Sequence, residues 1–190
     1  ESARSGFDPT PEDLRAIERV VTRIDGIPLG LELAAARLRS LSPADLADRL
    51  EQSFRILAGS SKAALPRQRT LQATIDWSHD LLKPEERVVF RRLATFIGGF
   101  DLHAAEAVAT GEDVADFEVL DHLDSLVDKS LVLINHDTSR YRMLEPVRQY
   151  AQEQLAESGE AAANHEAHAR YFARFTATAS PHTRGPRLTE

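Results

Sequence analysis

Cysteine is absent from this 190-residue chain, lysine occurs only at Lys62, Lys83 and Lys129, and aromatic residues make up 6%. The missing cysteine excludes a disulfide-stapled secreted mini-domain and fits a reducing compartment. No apolar run approaches the roughly 20 residues that a membrane helix needs, so no membrane partner is expected. Near Glu1 no basic segment leads into an apolar one, so these residues are not read as containing a signal segment. The chain is therefore expected to be cytoplasmic. It opens at Glu1 rather than at a methionine and is read as a piece of something longer or a processed product. What is present is 42% hydrophobic residues and 28% charged, enough for a packed core and too apolar for a disordered tail. The formal net charge of −7 argues against bulk attraction to nucleic acid or anionic lipid.

Apolar spacing is helical almost throughout. Leu14, Ile17, Val21 and Ile24 mark one face of a first helix, whose start is signalled by Thr10-Pro11-Glu12-Asp13. Gly26 ends it, and Pro28 opens a buried helix over Leu29–Ser40. Ser42-Pro43-Ala44-Asp45 caps a third helix that buries Leu46, Leu50, Phe54 and Leu57. These three form a helical domain over residues 1–58. Gly59 to Arg69 has three cations, no acid and no period, and is read as a linker. Helices follow at Thr70–Leu82, Pro84–Ile97, Leu102–Ala109 and Val114–Lys129, the last with Phe117, Leu120, Leu123 and Val127 on one face. The period then switches to two. Leu131–Asn135 and Arg140–Leu144 are read as a hairpin, with Tyr141 and Met143 on one side and Arg140 and Arg142 on the other. A helix from Pro146 to Ser158 turns Val147, Ala151 and Leu155 inward. Helices followed by a hairpin are winged helix-turn-helix order, and 70–158 is taken as that domain. A last helix, about Ala161–Ala177, carries Tyr171, Phe172 and Phe175 and begins a further region over 159–190, with a frayed tail from Ser180. Its apolar face either needs something absent from these residues or packs back on the body. The fold class is mainly α: a three-helix unit, a winged helix-turn-helix domain with a small β-hairpin, and the start of a helical region.

Candidate chemistry is sparse. Ser78-His79-Asp80 spells a triad, but neighbours on a helix diverge by about 100°, so the three side chains cannot align and a partly exposed helix turn is expected. His165 and His168 stand three apart without a third ligand and are read as surface residues, so no metal is expected. Glu85-Glu86 sits in a first helical turn, where the dipole explains it. Lys129-Ser130 is the one dipeptide suited to a phosphate-binding loop, and no glycine precedes it nearby. No catalytic residue is assigned, and these residues are not expected to form an enzyme. Groove reading is tested by charge. Asp116, Glu118, Asp121, Asp124 and Asp128 face only Lys129 over the helix that would enter the major groove. DNA binding through this segment is therefore not expected, with Arg140, Arg142 and Arg148 near the wing as the counter-signal.

Two stretches carry a family resemblance. Residues 25–35 (DGIPLGLELAA) resemble a G-x-P-L-A-L-E-L-A-A segment of the STAND-class, NB-ARC-like signalling ATPases. Thr70-Leu71 through Ile75-Asp76-Trp77-Ser78-His79-Asp80-Leu81-Leu82, Leu123 to Leu133 (LDSLVDKSLVL), and Tyr141-Arg142-Met143-Leu144-Glu145 to Tyr150-Ala151 resemble the winged-helix part of the same module. The variety most similar is the bacterial regulator group that carries LuxR-type, SARP-type or cyclase domains elsewhere in the chain. The resemblance spans roughly Ala16 to Phe175. It implies a non-catalytic part of a nucleotide switch that controls signalling or transcription, with ADP or ATP and Mg held only together with a P-loop domain upstream. Downstream helical repeats and self-association on activation are implied as further partners. Pro28 maps to the proline that packs on adenine; as a sequence feature it is equally a first-turn helix residue. The family's Met-His-Asp motif falls on Met143-Leu144-Glu145, where Leu144 cannot make the histidine's hydrogen bond to phosphate. Arg142 or Arg148 is the substitute suggested by position and charge, and core packing is the preferred reading of Met143. A DNA-binding winged-helix regulator is the alternative reading, and a helical interaction module the third.

Overall fold

The computed structural model describes residues 9–24, 26–57 and 66–183, with side chains for 9–24, 26–51 and 70–177. The expected linker at 59–69 lies outside the described residues as far as 65, and residues 66–69 are already helical. The side chains of Phe54 and Leu57, expected in the core, lie outside the described ones, as do residues 184–190 of the tail. The chain divides into two compact units, Glu1–Lys83 with Ser125–Leu131, and Pro84–Asp124 with Val132–Glu190.

The first unit contains α1 (Pro11–Arg23), α2 (Pro28–Arg37), α3 (Pro43–Leu57) and α4 (Pro66–Asp80). Its helix starts are set locally. Thr10 Oγ1 accepts from the Asp13 N–H at 3.2 Å while the Asp13 carboxylate accepts from the Thr10 N–H at 3.0 Å, a capping box. Ser42 Oγ accepts from the Asp45 N–H in the same way. The core gathers Ala16, Val20, Ile24, Ala34, Leu46, Ala47, Leu50 and Trp77. Burying each large aliphatic side chain here contributes about 1.5–3 kcal/mol. The inward face of α1 is thus Ala16–Val20–Ile24, and the expected Leu14 and Val21 are exposed. Gly30 permits the close packing of α2, since a Cβ there would collide with Ile24 Cγ2. Arg37 is buried, donating to the Ser78 carbonyl at 2.9 Å with its guanidinium 5.9 Å from the centre of the Trp77 ring. Ser78 and His79 are buried and Asp80 is exposed, so the turn is partly exposed as expected, with its first two side chains in the interior. Because α4 packs on α2 and α3, it belongs to this unit, whereas residue 70 was expected to open the next domain.

The second unit runs α5 (Pro84–Leu93), α6 (Leu102–Ala109), a 3-10 turn (Asp116–Glu118), α7 (Val119–Asp128, divided between the units after Asp124), β1 (Leu133–Asn135), β2 (Arg140–Arg142), α8 (Glu145–Ser158) and α9 (Ala161–Thr183). The strands pair antiparallel, with Leu133 opposite Arg142, Ile134 opposite Tyr141 and Asn135 opposite Arg140. Three helices, a hairpin and a following helix make this a mainly helical fold with a winged helix-turn-helix. Two expected elements are shorter. α5 stops at Leu93, and the 3-10 turn shifts the phase of α7, burying Val119 and Leu123 while Phe117 and Leu120 stay exposed. Inward Val147, Ala151 and Leu155 on α8 match the expected face. No helix among the described residues is long and apolar enough to cross a membrane.

α9 extends beyond its expected end and packs back on α6 and α8. Polar groups fasten its start. Glu160 takes a bidentate pair from Arg91 at 2.8 and 3.0 Å and a third bond from Arg92 at 2.9 Å. Arg92 also donates to the Ala109 carbonyl at 2.9 Å, and Asn164 Nδ2 to the Val108 carbonyl at 3.1 Å. Bonding to Arg91 is the chief cause that holds the Glu160 carboxyl at about 2, against an ordinary 4.5. A carboxyl depressed in the folded state stabilises above its unfolded value and loses that contribution as pH falls through the folded one. Glu160→Gln is therefore expected to lower stability by about 2–3 kcal/mol at neutral pH. Urea denaturation across pH 2–6 checks this: the parent chain should lose stability between about 4.5 and 2, and the variant should show a flatter profile.

Candidate nucleic-acid interface

The wing is built by a turn that contributes a third backbone segment to the hairpin. Phe100 and Tyr141 exchange both backbone bonds, Phe100 N–H to Tyr141 O at 2.9 Å and Tyr141 N–H to Phe100 O at 2.8 Å. Their rings stack with centroids 5.9 Å apart, and Phe96 packs 4.7 Å from Phe100. Gly98 and Gly99 precede this pairing with φ of +94° and +144°. A Cβ on Gly99 would lie 2.9 Å from the Tyr141 carbonyl oxygen, so glycine is required by both conformation and space. The hairpin's own turn is closed by Asn135, whose side-chain oxygen accepts from the N–H groups of Asp137 and Thr138. Immediately after the turn, Asp101 caps α6 by accepting from the Ala104 N–H at 2.8 Å.

Alternation along β2 buries Tyr141 and exposes Arg140 and Arg142. Arg140 donates to the Gly99 carbonyl at 3.0 Å, and Arg142 has no ion-pair partner among the described residues. Arg148 differs. Its guanidinium makes two bonds to Glu145, at 2.9 and 2.7 Å, and its side chain is only 14% exposed. That pairing holds the Glu145 carboxyl below, and the Arg148 guanidinium above, their ordinary values. On α7, Asp121 and Asp124 are exposed, as is Asp116 before it. Asp128, in the first unit, pairs with Arg39 at 2.5 Å. Burial, followed by the nearby Asp124 carboxylate, pushes the Tyr141 phenol up.

Of the residues singled out from sequence, four meet at the junction of β2 and α8. Arg142 ends the strand, and Met143 and Leu144 follow, both half-buried. Leu144 is the N-cap position of α8 without a side-chain cap, and its carbonyl accepts from the Arg148 N–H at 2.9 Å. Pro28 lies in the first unit, exposed in the first turn of α2. His165 is exposed, whereas His168 is half-buried against Phe96 and Phe172 rather than on the surface. Burial is the larger cause, and His165 the smaller, that lowers the His168 imidazole. Among the described residues no group of three potential ligands stands together for a metal. The helices expected over Pro84–Ile97 and Leu102–Ala109 leave Gly98-Gly99 between them, and the pairing of this turn with β2 was not read from the sequence. A glycine pair between two phenylalanines was the available sign of a backbone that approaches another strand.

Comparison with known proteins agrees with this architecture. Residues 82–156 match the winged helix-turn-helix domain family. The chain is 51% identical over 92% of its length to "Putative HTH-type transcriptional regulator Rv0890c" of Mycobacterium tuberculosis. It is 44% identical over 83% of its length to "Uncharacterized protein Rv0894" of the same organism. The chain spans about a fifth of the first relative (20%) and about two fifths of the second (41%). No solved structure matches it. The expectation that DNA binding does not run through this segment is corrected by these matches, which point towards DNA. The aspartates of α7 are exposed as expected, but they describe one helix, and the exposed arginines belong to the wing.

The clasp between turn and wing is testable. Gly99→Ala should cost about 1–3 kcal/mol through strain at positive φ and the close approach to Tyr141. Hydrogen exchange at the Phe100 and Tyr141 amides should quicken by about tenfold or more, with α8 amides much less affected.

Proposed function

We propose that this chain is part of a transcriptional regulator and that its winged helix-turn-helix domain binds DNA with the wing leading. The observation that carries the reading is the pair of exposed arginines, Arg140 and Arg142, on a strand whose other face is anchored by buried Tyr141. A guanidinium on a rigid strand meets a phosphate or a narrow groove without the ordering cost of a loop. The aspartates on α7 disfavour deep entry of that helix into the major groove, which assigns phosphate contact to the wing. Arg148 supports the hairpin base through Glu145 and is not assigned to DNA.

Fluorescence anisotropy with a labelled duplex between about 50 and 200 mM salt tests the reading. Affinity should fall steeply with salt. Arg142→Ala should weaken binding across sequences and reduce the logarithmic salt slope by about 1, with Arg140→Ala adding to the loss. Equal affinity and equal slope for parent and double variant would overturn it.

A second reading concerns the longer protein and is favoured by Pro28, exposed in the first turn of α2. The longer protein is then a STAND-class, LuxR-like signalling ATPase that works in the cytoplasm. These residues form its non-catalytic switch, and ADP or ATP with Mg is bound chiefly by a P-loop domain outside this chain. Arg142, Met143, Leu144 and Arg148 are the remaining candidates on the nucleotide side, with Arg142 the available cation. In the longer protein Pro28→Ala should speed ADP release, measured with a fluorescent analogue. Micromolar ADP binding by the 190 residues alone, measured by calorimetry, would remove the need for another domain.

A further inference from the structure

Ile97 is 84% exposed, although Phe96 and Phe100 on either side of it are buried at 4% and 2%. The side chain is held out by construction. Phe96 and Phe100 anchor both ends of the turn in the core, and the two positive-φ glycines reverse the chain between them. The Phe100–Tyr141 pairing then fastens the turn along β2. Arg140 donates to the Gly99 carbonyl, and Arg142 Cβ lies 3.8 Å from where a Gly99 Cβ would stand. A stiff, β-branched apolar side chain thus stands two residues before the glycine that Arg140 and Arg142 both approach.

We infer that the Ile97 turn and the wing arginines act together on DNA, with Arg140 and Arg142 in the minor groove and Ile97 as a wedge that opens a base step and bends the duplex. This deepens the DNA-binding reading above and rests on it. An apolar side chain beside arginines is the combination used to unstack a step while the cations neutralise the compressed groove. Flexible pyrimidine–purine steps are the preferred sites, because their unstacking costs least. A protein partner is less well served: the exposed apolar groups nearest Ile97 are Phe172, which packs 6.4 Å from Phe96, and Phe175 further along α9, whereas Gly98, Gly99 and the wing arginines follow on the other side.

The 190-residue chain is titrated onto 20–30 base-pair duplexes carrying fluorophores at both ends, one with a central TA step and one with an uninterrupted A-tract. Energy transfer reports bending and anisotropy reports affinity. The parent should bend the TA duplex and bind it more tightly than the A-tract. Ile97→Ala should abolish the bend at saturation and weaken TA binding about three- to tenfold, while Ile97→Leu keeps the bend. Thermal melting checks that Ile97→Ala folds like the parent, as a change at an exposed site should. A bend that persists in Ile97→Ala overturns the wedge and leaves the DNA reading standing. Failure of the parent to bind either duplex overturns both. Loss of a parent dimer in Ile97→Ala on sedimentation, with bending unchanged, assigns the residue to a protein contact and overturns the wedge.

Discussion

The two backbone hydrogen bonds between Phe100 and Tyr141 join what is otherwise a helical trio and a marginal hairpin. A pair of three-residue strands does not hold itself in water. Here the pair gains a third backbone segment, and the ring of Tyr141 lies against that of Phe100 within reach of Phe96. Once Tyr141 is committed inward, the period of two leaves Arg140 and Arg142 no alternative to facing out. Gly99 is the condition for all of this, because any side chain at that position collides with the Tyr141 carbonyl.

A polar lock complements this apolar clasp. Arg91 and Arg92 both lie in the last turn of α5, and both reach Glu160, just before α9. Paired guanidinium groups on one carboxylate keep that charge bonded while it is half-withdrawn from water. Arg92 has a second duty at the end of α6, and Gly111 leaves room for its guanidinium. α9 is thereby an element of the second unit rather than an appended arm.

Local signals were legible, and phase was legible in α8 and β2 but not in α1 or α7. Thr10, Ser42 and Pro28 mark helix starts within a few residues of sequence, because capping involves only neighbouring groups. The inward face of α1 was misjudged because its contact residue Ala16 is small, and a count of large side chains passed over it in favour of Leu14 and Val21. α7 was misjudged because a 3-10 turn advances the chain differently from an α-turn, displacing Phe117 and Leu120 from the face they share on an ideal helix. At the candidate interface, outward Arg140 and Arg142 could be read from alternation, and Arg148 with Glu145 from their spacing of three. The approach of Gly99 to Tyr141 spans about forty residues and has no local signature beyond the glycine pair itself.

Charge also changes meaning with scale. A net −7 for the chain and an acidic α7 argue against DNA only if the whole surface, or that helix, makes the contact. Screening confines an exposed charge to about 10 Å at ordinary salt, so a phosphate at the wing responds to the groups beside it. Those groups are Arg140 and Arg142 together with the nearby carboxylates of Asp101 and Asp124, while Arg148 is neutralised by Glu145 and Asp128 by Arg39. The carboxylates of Asp121 and Asp124 then act as an orienting repulsion, disfavouring a dock in which α7 lies deep in the groove relative to one in which the wing leads. An acidic helix beside a basic wing selects among docking modes; it does not decide whether DNA is bound.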